Sequence, residues 1–258
     1  MMAAHLERSA EVVALVALLL IAWQAMYHVA GSVAMTTPAE MIRYTAKQVA
    51  SSDFWPHVWT TGKAFITALV IALFGGSVLG ILFGFNRLAG GVAEPILVSL
   101  YSIPKVILYP IILLIFGIGM AAEVAFGTLH GIVPVMVLSM SAVRNIKPVY
   151  VETGRVHGLS TWTIMRTILL PAAFPEIFTG VRIGFSVTLL GTVMSEMFGC
   201  KHGLGFLLMN APGVNDVQLI MSLALALALL LVVFAAAANL MLMMIERRLY
   251  RQRQPREP

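Results

Sequence analysis

In a chain of which only 11% is charged, Glu152, Arg155, His157 and Arg166 fall close together between two strongly apolar stretches. None of them forms a nucleophile and base pair. Their chemistry is that of recognition, because exposed charges of both signs in water can pair with a partner surface. Gly158 stands six positions after Glu152 and permits a tight backbone reversal that a side chain would obstruct. Ser160 can then cap a second short helix. The run Ile168-Leu169-Leu170-Pro171 closes the segment. Pro171 is expected to end that helix, since it has no N–H and disfavours helix in the residue before it. The spacing predicts helix, elbow, helix, stop.

Other residues able to do chemistry are scattered. Glu123 and Glu196 lie at or near the ends of apolar stretches, where an ionisable group is a functional candidate by default. Glu196 is expected to serve a structural or gating role at the outer end of a span. Pro104, Lys105 and Pro110 interrupt another apolar region. A broken segment at membrane depth needs protein or a water-filled cavity over its freed carbonyls, which makes Tyr101, Ser102 and Tyr109 candidates for lining a pathway. The alternative is that Lys105 snorkels to the interface and Pro104 begins the helix proper. Ser77 has no nucleophile-elbow pattern around it, so pairing it with His130 as a catalytic dyad is not expected; a histidine at the position of His130 more often bonds to a neighbouring helix. The six histidines lack ligand spacing, no His-Glu-x-x-His helix is present, and Cys200 is the single cysteine. Gly62-Lys63 is the only Gly-Lys pair, and His57 stands where a phosphate-binding loop requires glycine. No catalytic residue, metal or cofactor is expected, and any energy source must lie in another chain.

The elements that position these residues are membrane helices. At 258 residues and 59% hydrophobic, the composition departs far from that of a soluble domain. The expected fold is an all-α integral membrane protein, one transmembrane domain over residues 1–258. Its spans are expected near 10–30, 64–86, 96–122, 123–143, 178–198 and 217–245, with a cytoplasmic loop at 144–177. Glu7 and Glu11 oppose reading the first span as a signal peptide cleaved near Ser32-Val33-Ala34. Thr37-Pro38-Ala39-Glu40 is a capping box with proline at the first helical position, opening a short amphipathic helix to about Val49. Phe54, Trp55 and Trp59 suit an interfacial aromatic belt. Gly76, Gly80 and Gly84 recur every fourth residue, and Gly180 and Gly184 repeat the device, so two spans each offer a bare face for close helix packing. Gly180-Val181-Arg182 is expected to open the fifth span.

The net charge of +5 reports orientation, and no nucleic-acid partner is implied. With both termini in the cytoplasm, inside segments carry twelve basic residues and outside segments four, Lys105 being unassigned. This follows the positive-inside rule and puts the loop of Glu152 in the cytoplasm.

The register of Glu152, Gly158, Ile168, Leu170 and Pro171 resembles the signature loop of bacterial ABC importer permeases, with Thr153 and Gly154 in place of two alanines. The order of the Gly76 series, Pro95, Pro104, Pro110, Gly117, Gly119, Glu196 and Gly203-Leu204-Gly205 resembles the permeases for nitrate, sulfonate, taurine and related solutes. The resemblance implies that Glu152, Gly154, Arg155, Gly158, Ser160, Ile168, Leu170 and Pro171 engage a separate cytoplasmic ATPase. It further implies a periplasmic solute-binding protein, a second permease copy forming a homodimer in the lipid of the bacterial inner membrane, and a non-catalytic role. A vitamin or pyrimidine precursor is the alternative solute. A secondary transporter would need matched broken helices in each half, and only the region of Pro104 is broken. A membrane scaffold would leave the signature loop unexplained.

Overall fold

The computed structural model describes residues 2–32, 35–210 and 217–251. It is helical, with no strand among the described residues. The helices are α1 (Met2–Ala30), α2 (Pro38–Ala50), α3 (Phe54–Phe85), α4 (Arg87–Ser102), α5 (Tyr109–Phe116), α6 (Met120–Arg144), α7 (Pro148–Val156), α8 (Thr161–Ile164), α9 (Leu170–Gly199), α10 (Leu204–Asn210) and α11 (Val217–Arg251). Two compact units make up the chain, residues 1–57 with 207–232, and residues 58–206 with 233–258.

In the first unit, Thr37 caps α2 as expected. Its hydroxyl accepts from the Glu40 N–H at 3.2 Å, while the Glu40 carboxylate accepts from the Thr37 N–H at 3.2 Å. This satisfies orphan donors at both ends of the box. Along this helix Met41 and Thr45 are buried and Ile42 is exposed; Thr45 donates to the Ser222 carbonyl of α11 at 3.1 Å. Trp23 of α1 donates to the Thr36 carbonyl at 3.1 Å, while the apolar side chains from Val13 to Ile21 stand exposed. Trp55 and Trp59 are exposed and Phe54 is buried. Residues 33, 34 and 252–258, which include the small-residue cleavage pattern and part of the arginine tail, lie outside the described residues.

The second unit is built on α3, α6 and α9. A Cβ added at Gly76 would stand 2.8 Å from Val135 Cβ, and one at Gly84 would stand 2.7 Å from Val143 Cβ. At Gly80 it would fall on the Met136 carbonyl oxygen. The glycine face of α3 therefore lets the α6 backbone approach as no side chain would. Gly180 of α9 packs on Leu138, and Gly184 on Val135. Gly127 and Gly131 return the arrangement from α6, lying against Thr192 and Thr188 of α9 and against Ala68 and Ala72 of α3. Small residues let the three helices pack closely on one another, α3 and α9 also meeting directly where the Phe65 and Phe185 rings lie 5.0 Å apart.

Among the described residues, Val13–Ala30, Phe54–Phe85, Met120–Arg144 and Thr161–Gly199 are long and apolar enough to cross a membrane. Arg87–Ser102 with Lys105–Phe116, bent by 90°, makes a fifth if counted as one span. The apolar region 96–122, expected to be interrupted near Pro104, Lys105 and Pro110, is not one helix. The chain breaks at Pro104, which disfavours helix at Ile103, and again at Gly117–Gly119, so that Ala122 belongs to α6. The described apolar stretch of α11, Val217–Leu229, falls short of spanning length.

Candidate functional site

The segment between α6 and α9 forms the expected elbow. Helix α7 ends in a paired C-terminal motif: the Gly158 N–H donates to the Arg155 carbonyl at 2.9 Å and the Leu159 N–H to the Gly154 carbonyl at 3.0 Å. Gly158 has a φ of +70°, a left-handed conformation that a side chain disfavours. Ser160 caps α8 by accepting from the Thr163 N–H at 3.2 Å. Gly154 is buried, and a Cβ there would stand 2.8 Å from Ile164 Cγ1 and 3.1 Å from Ile168 Cδ1. That contact sets how closely α7 lies on α8.

The expected stop at Pro171 is corrected. Residues Met165–Leu169 form a π-helical turn leading straight into α9, and Thr161–Gly199 is one helical stretch. Pro171 sits in the first turn of α9, where a missing N–H is tolerated, and the wider turn before it keeps the helix running. Gly180-Val181-Arg182 consequently lies inside the helix rather than at its start, with the Arg182 guanidinium 5.8 Å from the Phe178 ring centroid.

The surface of the elbow is mixed. Glu152, Arg155, His157 and Arg166 are exposed, and so are Val149, Tyr150, Val156, Leu159 and Trp162, with Val156 at 85%. Apolar side chains thus stand exposed among charges on a capped turn. Ile168 and Leu170 are half-buried on the inner side of the elbow. The Arg144 guanidinium pairs with the Glu94 carboxylate at 2.5 Å beside the elbow, tying α6 to α4.

At the far end of α9 lies a second constellation. Glu196 is fully buried. Its Oε2 accepts from the Thr61 hydroxyl at 3.0 Å and from the Gly205 N–H at 2.9 Å. The Thr61 hydroxyl in turn accepts from the Leu204 N–H at 2.9 Å. Gly203, at a φ of +115°, places its backbone so close that a Cβ would overlap the Glu196 carboxylate. Tyr109 is buried, donates to the Ser195 carbonyl at 2.8 Å and meets the Phe126 ring edge-on at 5.0 Å. Glu123 is buried in the first turn of α6.

The candidate pathway residues thus separate. Tyr101 and Ser102 are exposed, the latter donating to the Val98 carbonyl at 3.0 Å, while Tyr109 belongs to the packed core. Lys105 is buried, with its ammonium 4.7 Å from the Tyr101 ring centroid and 3.4 Å from the Tyr101 carbonyl. His130 bonds to the Phe126 carbonyl of its own helix at 3.0 Å, and Gly191 packs on its ring. Sequence reasoning missed Thr61, whose only signal is a hydroxyl next to the start of an apolar run.

Known proteins resemble this arrangement. The riboflavin transport system permease protein RibX of Chloroflexus aurantiacus is 29% identical over 205 residues, covering 79% of this chain and 76% of that protein. The taurine transport system permease protein TauC of Escherichia coli is 28% identical over 160 residues, covering 62% of this chain and 58% of that protein. A crystal structure of an amino acid ABC transporter shares the fold at a TM-score of 0.62 and 18% identity, covering 83% of this chain and all of that one. Residues 76–251, which include the glycine face of α3, the elbow and Glu196, match the model for the binding-protein-dependent transport system inner membrane component, and the chain belongs to that family of ABC importer permeases.

Proposed function

We propose that this permease moves a small solute such as nitrate, a sulfonate or taurine across the bacterial inner membrane, driven by ATP hydrolysis in a separate subunit seated on the elbow. The observation that carries the reading is the elbow itself: a glycine reversal, a serine-capped short helix and exposed Val156, Leu159 and Trp162 among charges, joined without interruption to α9. A partner shifts a conformational equilibrium only through differential affinity for the two states. A stiff turn continuous with a membrane helix can convey such a difference, whereas a loose loop would absorb it.

In this reading six spans with both termini cytoplasmic surround the pathway, the sixth being the apolar run 217–245. Glu152, Gly154, Arg155, Gly158, Ser160, Ile168, Leu170 and Pro171 form or support the ATPase contact. Tyr101 and Ser102 face the pathway, while Tyr109 and Glu196 set its outer end. A second copy of the chain completes the pathway, and a periplasmic binding protein delivers the solute. Riboflavin-like or pyrimidine solutes form the second reading, favoured by the similarity to the riboflavin permease.

The test is co-purification of the tagged chain with a co-expressed ATPase, comparing the wild type with a variant lacking residues 152–171. The ATPase is expected to follow the wild type and to be lost from the deletion while the permease stays folded. An ATPase that never associates with the wild type overturns the reading. Uptake of taurine, nitrate and riboflavin by the reconstituted complex then separates the solute classes.

A further inference from the structure

We infer that Glu196 and Thr61 form a latch fastening Gly203 and the first turn of α10 to the end of α9 remote from the elbow, so that the two move as one body. The inference rests on the permease reading for its consequence in transport, but the latch stands on geometry alone.

The start of a helix leaves backbone N–H groups without partners inside the helix. At the start of α10 two of these, on Leu204 and Gly205, are buried. A buried donor left unpaired is costly, so what satisfies these two decides where the start of α10 can sit. The Leu204 N–H is taken by the Thr61 hydroxyl of α3, and the Gly205 N–H by the Glu196 carboxylate of α9. The relay has a single polarity: the Thr61 hydroxyl spends its one proton on Glu196 and is therefore free to accept from Leu204.

Glycine completes the fit. Any Cβ at Gly203 would strike the Glu196 carboxylate, and one at Gly205 would meet the Val193 carbonyl and stand 2.9 Å from Glu196 Cβ. The backbone at 203–205 thus lies directly on α9. From Leu170 to Glu196 the helix spans about 40 Å at 1.5 Å per residue. Its other end continues through the π-turn into the elbow. A displacement of the elbow is thereby delivered to the start of α10 through one helix, its short link over residues 200–203 and the Glu196 carboxylate.

Both donors reach a single oxygen, Oε2, while Oε1 accepts from no group among the described residues. A glutamine can place its carbonyl oxygen at Oε2 and keep both bonds. Glu196 thus acts as a positioning residue through hydrogen-bond acceptance, not through its charge, and the conservative variants discriminate this from other roles.

The experiment is hydrogen exchange of the full chain in lipid nanodiscs, read on peptides covering 203–206 and, as a control, on the middle of α6. Glu196→Ala and Thr61→Val are expected to speed exchange at Leu204 and Gly205 at least tenfold with α6 unchanged. Glu196→Gln and Thr61→Ser are expected to match the wild type. In the reconstituted transporter, Glu196→Ala is expected to retain ATPase capture and lose uptake at least tenfold, with Glu196→Gln restoring it. Unchanged exchange in Glu196→Ala overturns the latch, as does Glu196→Gln behaving like alanine, or loosening that extends to α6. The exchange measurement needs no ATPase, so the latch and the transport reading fail separately.

Discussion

The Gly154 backbone lies against the Ile164 side chain, so close that a Cβ at Gly154 would stand 2.8 Å from Ile164 Cγ1. This approach fixes α7 on α8 and so shapes the face that the elbow presents. Gly154→Ala needs only a shift of the Ile164 and Ile168 side chains, and alanine favours helix over glycine by about 1 kcal/mol. It is expected to keep ATPase capture near the wild-type level, whereas Gly154→Leu pushes α7 off α8 and is expected to lower capture at least tenfold in a pull-down.

Gly158 holds a φ of +70° with open space around the position of a Cβ. Its constraint is therefore conformational. A side chain in the left-handed region costs about 1–2 kcal/mol, and asparagine tolerates it better than a β-branched residue. Gly158→Val is expected to uncouple ATP hydrolysis from uptake in reconstituted vesicles, with Gly158→Asn intermediate. Equal uptake by all three proteins would refute this role.

Gly80 and Gly91 offer a paired test of packing. A Cβ at Gly80 falls on the Met136 carbonyl, whereas one at Gly91 meets nothing within 4 Å. Gly80→Leu is expected to destabilise the α3–α6 pair by about 1–3 kcal/mol or more through overpacking. Gly91→Ala, inside α4, is expected to be neutral or stabilising by about 0.5–1 kcal/mol. Thermal unfolding in detergent distinguishes the two.

The Glu40 carboxyl is held below the ordinary carboxylate range, first by the Thr37 hydroxyl, then by the Thr37 N–H and the Thr36 hydroxyl. A group whose pKa is lowered on folding contributes stability above its unfolded value, and that contribution is lost as pH falls through its folded value. The start of α2 is expected to hold at neutral pH and to fray below the ordinary glutamate range near pH 4.3. Amide exchange at Thr37 followed against pH checks this, and Glu40→Gln is expected to flatten the dependence.

The elements with local causes were legible without coordinates. The Thr37 box depends on four consecutive residues, the elbow on Gly158 and Ser160, and the glycine face of α3 on a simple repeat. Pro171 was misread because a proline ends a helix only if the preceding turn cannot widen, and the π-turn at Met165–Leu169 depends on how α8 and α9 are held. The break within 96–122 was signalled by Pro104, but not the 90° bend, which packing determines.

By itself the sequence determined that this chain is a helical membrane protein with a glycine-reversed, serine-capped elbow, because composition, caps and spacing act over a few residues. Which faces meet was decided only by the tertiary structure: Gly76, Gly80 and Gly84 against α6, Gly154 against Ile164, and Thr61 against Glu196, 135 positions apart. Hydrogen bonds and close backbone contacts between distant helices follow from the three-dimensional arrangement of the chain, and no local periodicity encodes them. Glu196 and the glycines at 203 and 205 were visible as separate signals. Folding brings them together, since a buried carboxylate and buried N–H groups must each find a partner.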